Sequence, residues 1–310
     1  MSEEPDRVTV TIENGVADVR LNRPDKRNAL DPTTFAAIAG AGERLKTEDG
    51  LRAVVLSGEG ASFCAGLDFG AFQAMADDDG SSDVGAIGRV AEGQITHLGQ
   101  QACWVWQEVP VPVIAAVHGH ALGGGLQIAL GADIRIAAPD AKLSVMEIRW
   151  GLIPDMGITQ ALPRLVRLDV AKELTFTGRR LSGEEALEAG LVTRVDADPQ
   201  AAAQALATEI AAKSPDAVRS AKRLYQEAWD TTPAQALALE TELQLKLIGS
   251  ENQIAAVTAG MSGQPPQFTD PNGARYQAAP RPEAGQYRTG DRGASPPALL
   301  ASGSQPATAL

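Results

Sequence analysis

Glu147 and Asp155 stand eight residues apart in the stretch Val145-Met-Glu-Ile-Arg-Trp-Gly-Leu-Ile-Pro-Asp-Met-Gly157, among otherwise largely apolar neighbours. A carboxylate is costly to bury unless it is paired or functional, and burial raises its proton affinity into the range that suits proton transfer. Gly151 and Pro154 interrupt any regular helix between the two acids, so the chain can fold back and bring both to one cavity. The same residues also fit a solvent-facing glutamate and an aspartate that caps the next helix.

Two glycine-bearing turns accompany this segment. His118-Gly-His-Ala-Leu-Gly-Gly-Gly125 follows an apolar strand and opens the apolar helix LQIAL. Three glycines there let backbone amides face outward at a helix N-terminus, where unpaired donors and the dipole favour an oxyanion or phosphate. Close packing of a tight crossover would ask for glycine as well. The run is not G-x-G-x-x-G and no Lys-Ser or Lys-Thr follows, which sets nucleotide motifs aside. Ser62-Phe-Cys-Ala-Gly-Leu-Asp68 also follows a strand and reads as the start of a helix near Leu67. Its small residues would let a ligand approach the backbone, and Asp68 suits a first helical turn; an ordinary strand-to-helix turn has the same composition. His118 and His120 lack a third ligand at suitable spacing, so no metal is expected. His97 falls in a helical stretch, on the surface or in the core. The absence of G-x-S-x-G argues against an α/β hydrolase. Residues 78–85 (DDGSSDVG) read as a mobile surface loop, and a loop at that place could also act as a lid.

These segments need a scaffold. Alternating runs at 8–13 and 16–21 flank Asn14-Gly15, the pair that best accommodates a type I′ turn, and predict a hairpin. Apolar branched runs at 53–56, 113–117 and 134–137, separated by helical stretches such as 33–46 and 88–108, predict right-handed crossovers in a largely parallel α/β core. From Gln160 onward strand signal nearly vanishes: 169–177, 199–212, 215–229 and 233–247 carry helical spacing, and Ser182 with Glu185 forms a capping box. This helical layer either covers the core or packs on another subunit. Residues 264–310 hold 8 of the 19 prolines and no Val, Ile or Met, the composition of a disordered tail. The expected division is a core over 1–195, a helical region over 196–263 and the tail over 264–310.

Composition bounds the function. At 310 residues with 44% hydrophobic and 21% charged side chains, the chain can bury a sizeable globular core. No run is long and apolar enough to span a bilayer, and the start lacks a basic region followed by an apolar one, so a cytoplasmic protein is expected. Cys64 and Cys103 are too few for a disulfide framework. A net charge of -12 opposes broad nucleic-acid binding, and a 4% aromatic content offers no stacking platform.

The motifs NRPDKRNAL (22–30), SFCAGLD, HGHALGGG, ADIRIAAPDAKL, GLIPDMG and TGRRLSGEEALEAGLV, in this order over about residues 8–261, resemble the enoyl-CoA hydratase/isomerase (crotonase) superfamily. The resemblance implies an α/β spiral of ββα units with a helical C-terminal region that builds trimers or hexamers. It implies an acyl-CoA thioester as substrate, with no further cofactor and no nucleic-acid or membrane partner. It places the thioester oxygen between the backbone amides of Leu67 and Gly124, where pre-aimed donors stabilise an enolate-like oxyanion. It assigns Ala65 to the adenine and offers Arg23 and Lys26 as a basic patch for the CoA phosphates.

Members of the family differ in their acids. Hydratases look to two glutamates, and the matching positions here are Gln127 and Glu147; a neutral amide orients a water or substrate but cannot take a proton. Asp155 matches the acid of enoyl-CoA isomerases, and the Glu147/Asp155 pair is similar to that of dienoyl-CoA isomerases and of 3-hydroxyacyl-CoA hydrolases. The expectation is an enzyme of fatty acid β-oxidation that shifts a double bond: one of Asp155 and Glu147 removes a proton, the other returns one elsewhere, and Gln127 positions the substrate. Hydration of a 2-enoyl-CoA with Glu147 as acid/base comes second, then thioester hydrolysis. A non-catalytic acyl-CoA binder has little reason to bury two acids.

Overall fold

The computed structural model describes residues 6–68, 70, 88–90 and 93–270. Strands β1 (Val8–Glu13) and β2 (Val16–Leu21) pair antiparallel around Asn14 and Gly15, at φ 51° and 78°, the turn that Asn-Gly favours. Parallel pairing then carries the sheet from β2 through β3 (Ala53–Gly58), β4 (Val113–Val117) and β6 (Ile134–Ala137) to β8 (Arg194–Val195). The inner strands are apolar without alternation because both faces are covered. On one side Val54, Leu56, Ala115 and Val117 meet Phe35 and Ile38 of α1 (Pro32–Leu45), Trp106 of α2 (Leu98–Glu108) and Ile128 of α3 (Gly124–Gly131). On the other, Val55, Ile114 and Ala116 meet Ala203, Ala207 and Ala211, a small-residue stripe at four-residue spacing on α7 (Pro199–Ala211).

A second, smaller sheet positions the site. β5 (His120–Leu122) and β7 (Lys142–Ser144) run parallel, with bridges from Cys64 to Ala121 and from Leu143 to Leu181. It joins the 62–68 segment to the glycine run. Strands of three residues leave no periodicity to read, so this sheet was invisible in the sequence.

Two expectations are corrected. Leu67 does not open a helix: Gly66 turns the chain at φ 90°, and Leu67 bridges Leu30 in extended form. Among the described residues of 88–108 the α-helix begins at Leu98; Val90 pairs antiparallel with His97, and His97 is neither a mid-helix surface nor a core residue but the N-cap of α2. Its Nδ1 accepts from the Gln100 amide while Gln100 Oε1 accepts from the His97 amide.

Helices α4 (Ile158–Leu165), α5 (Leu168–Thr177) and α6 (Gly183–Glu188) precede α7, and α8 (Pro215–Ala228), α9 (Pro233–Leu247) and α10 (Glu251–Ser262) follow it. The Ser182/Glu185 box is formed: the Glu185 amide donates to Ser182 Oγ at 3.1 Å and the Ser182 amide to Glu185 Oε2 at 2.7 Å. Ser182→Ala should therefore cost about 1 kcal/mol, read as a lower urea midpoint at unchanged slope.

At α8 the C-terminal layer covers the core itself. The buried Lys222 ammonium reaches the carbonyls of Trp106 and Val111 and the carboxylate of Asp133, at 3.0, 2.9 and 2.8 Å. Residues 264–270, expected within a disordered tail, are held. Arg52 donates to Asp270 Oδ1 (2.7 Å) and the Phe268 carbonyl (3.2 Å), and the Thr269 amide donates to Asn252 Oδ1 (2.9 Å). Residues 271–310 and the loop at 78–85 lie outside the described residues.

Candidate active site

The two glycine-bearing turns lie side by side. Cys64 N donates to the His120 carbonyl at 2.8 Å and Leu122 N to the Cys64 carbonyl at 3.1 Å. No side chain fits between them: a Cβ on Gly66 would stand 2.6 Å from Leu122 O, and one on Gly125 2.3 Å from Cys64 O. Neighbouring amides are engaged, Leu30 N with Gly66 O, Asp68 N with Leu30 O and Gly123 N with Ser144 O. The Leu67 and Gly124 amides donate to no backbone carbonyl among the described residues. Gly124 is the first residue of α3, and Gly123 before it supplies no side-chain cap, so the helix start keeps unpaired donors.

Glu147 opens a short 3-10 helix, Glu147–Trp150, that Gly151 ends at φ 72°. Its carboxylate lies against the second turn, where a Cβ on Gly123 would stand 3.3 Å from Oε1. Gln127 Nε2 donates to Glu147 Oε1 at 2.7 Å, and Met156 N donates to Gln127 Oε1 at 2.9 Å. Glu147 Oε2 is buried without a hydrogen-bond partner. Burial raises the proton affinity of Glu147 above the ordinary carboxylate value and the charge of Asp155 adds to it, against hydrogen bonds from backbone and Gln127 that favour the anion.

Asp155 is close enough for its field to act on both Glu147 and Cys103, yet it is exposed. The expectation of two acids enclosed in one cavity is therefore corrected: Glu147 is half-buried and Asp155 stands at the rim. The turn after Pro154 buries Met156 instead, and Gly157, not Asp155, caps α4. Two unpaired amides beside an acid pair suit an oxyanion held next to proton transfer.

Arg23 is occupied. Its guanidinium reaches Asp68 at 2.7 Å, Asp31 at 3.4 Å and the Ala29 carbonyl at 3.2 Å, so it braces the first turn instead of facing a ligand. Lys26 is exposed; Ala65 is half-buried, its amide donating to the Arg27 carbonyl at 2.9 Å. Sequence reasoning missed a basic face here. His120 and Lys142 are register partners, and burial together with the charges of Arg27, Arg180 and Lys142 holds His120 below its ordinary value. His120 Nδ1 lies 2.9 Å from Ser62 Oγ, His118 Nε2 lies 3.0 Å from the Gly60 carbonyl, and no metal-holding cluster occurs among the described residues. Burial pushes the Cys64 thiol up to about 12, which makes it inert. A cavity of about 550 Å³ lies between α4 and α8, with Cys103, Gln127 and Met156 among its walls.

A protein-family model described as enoyl-CoA hydratase/isomerase matches residues 11–271. The chain is 36% identical over 272 residues to the mitochondrial Delta(3,5)-Delta(2,4)-dienoyl-CoA isomerase of Homo sapiens, covering 84% of this chain and 81% of that one. It is 34% identical over 261 residues to the mitochondrial enoyl-CoA hydratase domain-containing protein 2 of Mus musculus, covering 82% and 84%. The crystal structure of an enoyl-CoA hydratase from Polaromonas sp. JS666 matches with a TM-score of 0.76 at 30% identity, covering 84% of this chain and 99% of that one.

Proposed function

Since this chain belongs to the enoyl-CoA hydratase/isomerase family, we propose that it shifts a double bond in an enoyl- or dienoyl-CoA through an enolate held by the Leu67 and Gly124 amides. What supports this reading is that Glu147 lies against the Gly123–Gly124 turn with Asp155 near enough for its charge to act on it, while the third polar position holds Gln127, an amide engaged at both ends. One acid takes a proton from the bound acyl chain and the other returns one at a different carbon, so atoms balance without water. A hydration would leave Glu147 alone to activate the water, because Gln127 cannot accept its proton.

Ala65, half-buried in the first turn, would contact the adenine. With Arg23 committed to Asp68 and Asp31, Lys26, Arg27, Lys142 and Arg180 would meet the CoA phosphates. The acyl-CoA enzyme works as a homotrimer or hexamer, a reading supported by exposed Leu237, Leu245, Ile254 and Met261 along α9 and α10.

The test is mass spectrometry after incubation with 2-enoyl, 3-enoyl, 3,5-dienoyl and 3-hydroxyacyl CoA thioesters. Unchanged mass with a shifted retention time supports the reading. Gain of one water on the 2-enoyl species, release of free CoA, or no conversion would each overturn it, in favour of a hydratase, a hydrolase or a binder. Asp155→Asn should then lose about 10²-fold in turnover while acyl-CoA still raises its melting temperature.

A further inference from the structure

Gln127 is fully enclosed, and chemistry alone fixes which way its amide points. The Met156 backbone N–H can only donate, so the group facing it is the amide oxygen. The opposite end is therefore NH2, and it donates to Glu147 Oε1 at 2.7 Å. A proton on that oxygen would set an O–H against an N–H. The other oxygen, Oε2, is buried and without a partner. The amide also ends on the residue next to Asp155, so one side chain ties the Glu147 carboxyl to the turn bearing the second acid.

We propose that Gln127 is a positioning residue that gives the two oxygens of Glu147 separate tasks: Oε1 is a permanent acceptor, and Oε2 alone carries the proton exchanged with substrate. This deepens the double-bond shift proposed above and rests on it. When Glu147 is the base, the substrate C–H bond breaks, its proton goes to Oε2 and its electron pair enters the enolate. Asp155, protonated in the reacting complex, then gives its proton to the distal carbon, forming the new C–H bond; the exposed Asp155 exchanges protons with solvent, and Glu147 Oε2 releases the abstracted proton before the next turnover. In reverse the roles exchange. Asp155, from the turn before α4, and the Cys103 thiol of α2 are the titratable groups whose fields are coupled to Glu147.

Two variants decide it. A protonated Glu is isosteric with Gln, its O–H donating to Glu147 and its carbonyl accepting from Met156. Gln127→Glu should match the parent kcat at low pH and lose about 10- to 100-fold as the new carboxyl ionises, a limb the parent lacks. Gln127→Met lacks both bonds, so the limb belonging to Glu147 should move to higher pH, because a bond favouring the anion is gone. In both, KM should stay within about twofold, since the clamp faces Glu147 and not substrate. The pH dependence of melting reads the same shift without substrate. A parent-like profile in both variants, or a loss confined to KM, overturns the inference. If the parent hydrates a 2-enoyl-CoA, the double-bond shift fails, while the limb and melting shifts still judge the clamp on Glu147.

Discussion

Glu147→Gln is expected to melt higher than the parent protein once the pH is high enough for Glu147 to ionise in the fold, and to retain almost none of its turnover. In the unfolded chain Glu147 titrates at the ordinary value of 4.5, while burial raises its proton affinity in the fold. The native state therefore holds the proton more tightly, and stability is lost as pH rises from the ordinary value through the raised one. Above that window the parent carries a buried anion with an unpartnered oxygen. The amide has the same shape and can still accept from Gln127 Nε2; its NH2 takes the place of the unpartnered oxygen, but the larger cost of burying a charge is gone. The melting difference should be smallest below the ordinary value, open across the window and then stay constant. Turnover falls by about 10²- to 10⁴-fold because the proton carrier is gone. Calorimetry across pH with steady-state kinetics on the same samples checks both; a variant less stable at every pH would refute the account of Glu147. The opposite signs are those of a site that sacrifices stability for reactivity.

Gly66→Ala should be nearly as damaging without touching a catalytic side chain. The new methyl would meet Leu122 O at 2.6 Å, a backbone atom that cannot rotate away, and φ 90° is strained for any side chain. Relief comes by wedging the two turns apart, which separates the Leu67 amide from that of Gly124. Losing one well-aimed donor to an oxyanion costs about 10²- to 10³-fold in kcat. Gly93→Ala is the control: it meets the same kind of strain at φ 79° with no atom of the described residues within 4 Å of its Cβ. Its kcat should stay near that of the parent. Equal losses in the two variants would show that backbone strain, not the spacing of the turns, limits turnover.

Much of this was legible because it rests on local chemistry. Asn14-Gly15 specified the hairpin, Ser182 with Glu185 specified a helix start, and apolar runs marked the strands. Both glycine-bearing turns and both acids were visible as residue types at strand ends and in an apolar segment. What could not be read is tertiary. Arg23 and Asp68 are 45 positions apart, so their ion pair leaves no local trace, and a free phosphate-binding arginine has the same sequence as a braced one. The basic face depends on pairing His120 with Lys142 across strands too short to show a period. Asp155 at the rim and His97 as a cap follow from turns at glycines, where composition permits several directions.

Arg27 and Asn28 sit consecutively in the left-handed region, at φ 50° and 57°, within the loop that leads to Leu30 and the first turn. The buried Asn28 side chain accepts from Arg23 N at 2.8 Å and donates to the carbonyls of Glu59 and Ser62 at 3.0 and 2.8 Å. Glycine would take that backbone shape but leave three polar groups unanswered; aspartate would answer Arg23 and face two carbonyls with acceptors. A longer or branched side chain meets the left-handed strain and the tight approach of Gly58 together. Position 28 thus asks one side chain to be both a left-handed turn former and a three-way hydrogen-bonding plug, which narrows its choice to asparagine over glycine, aspartate and bulkier residues.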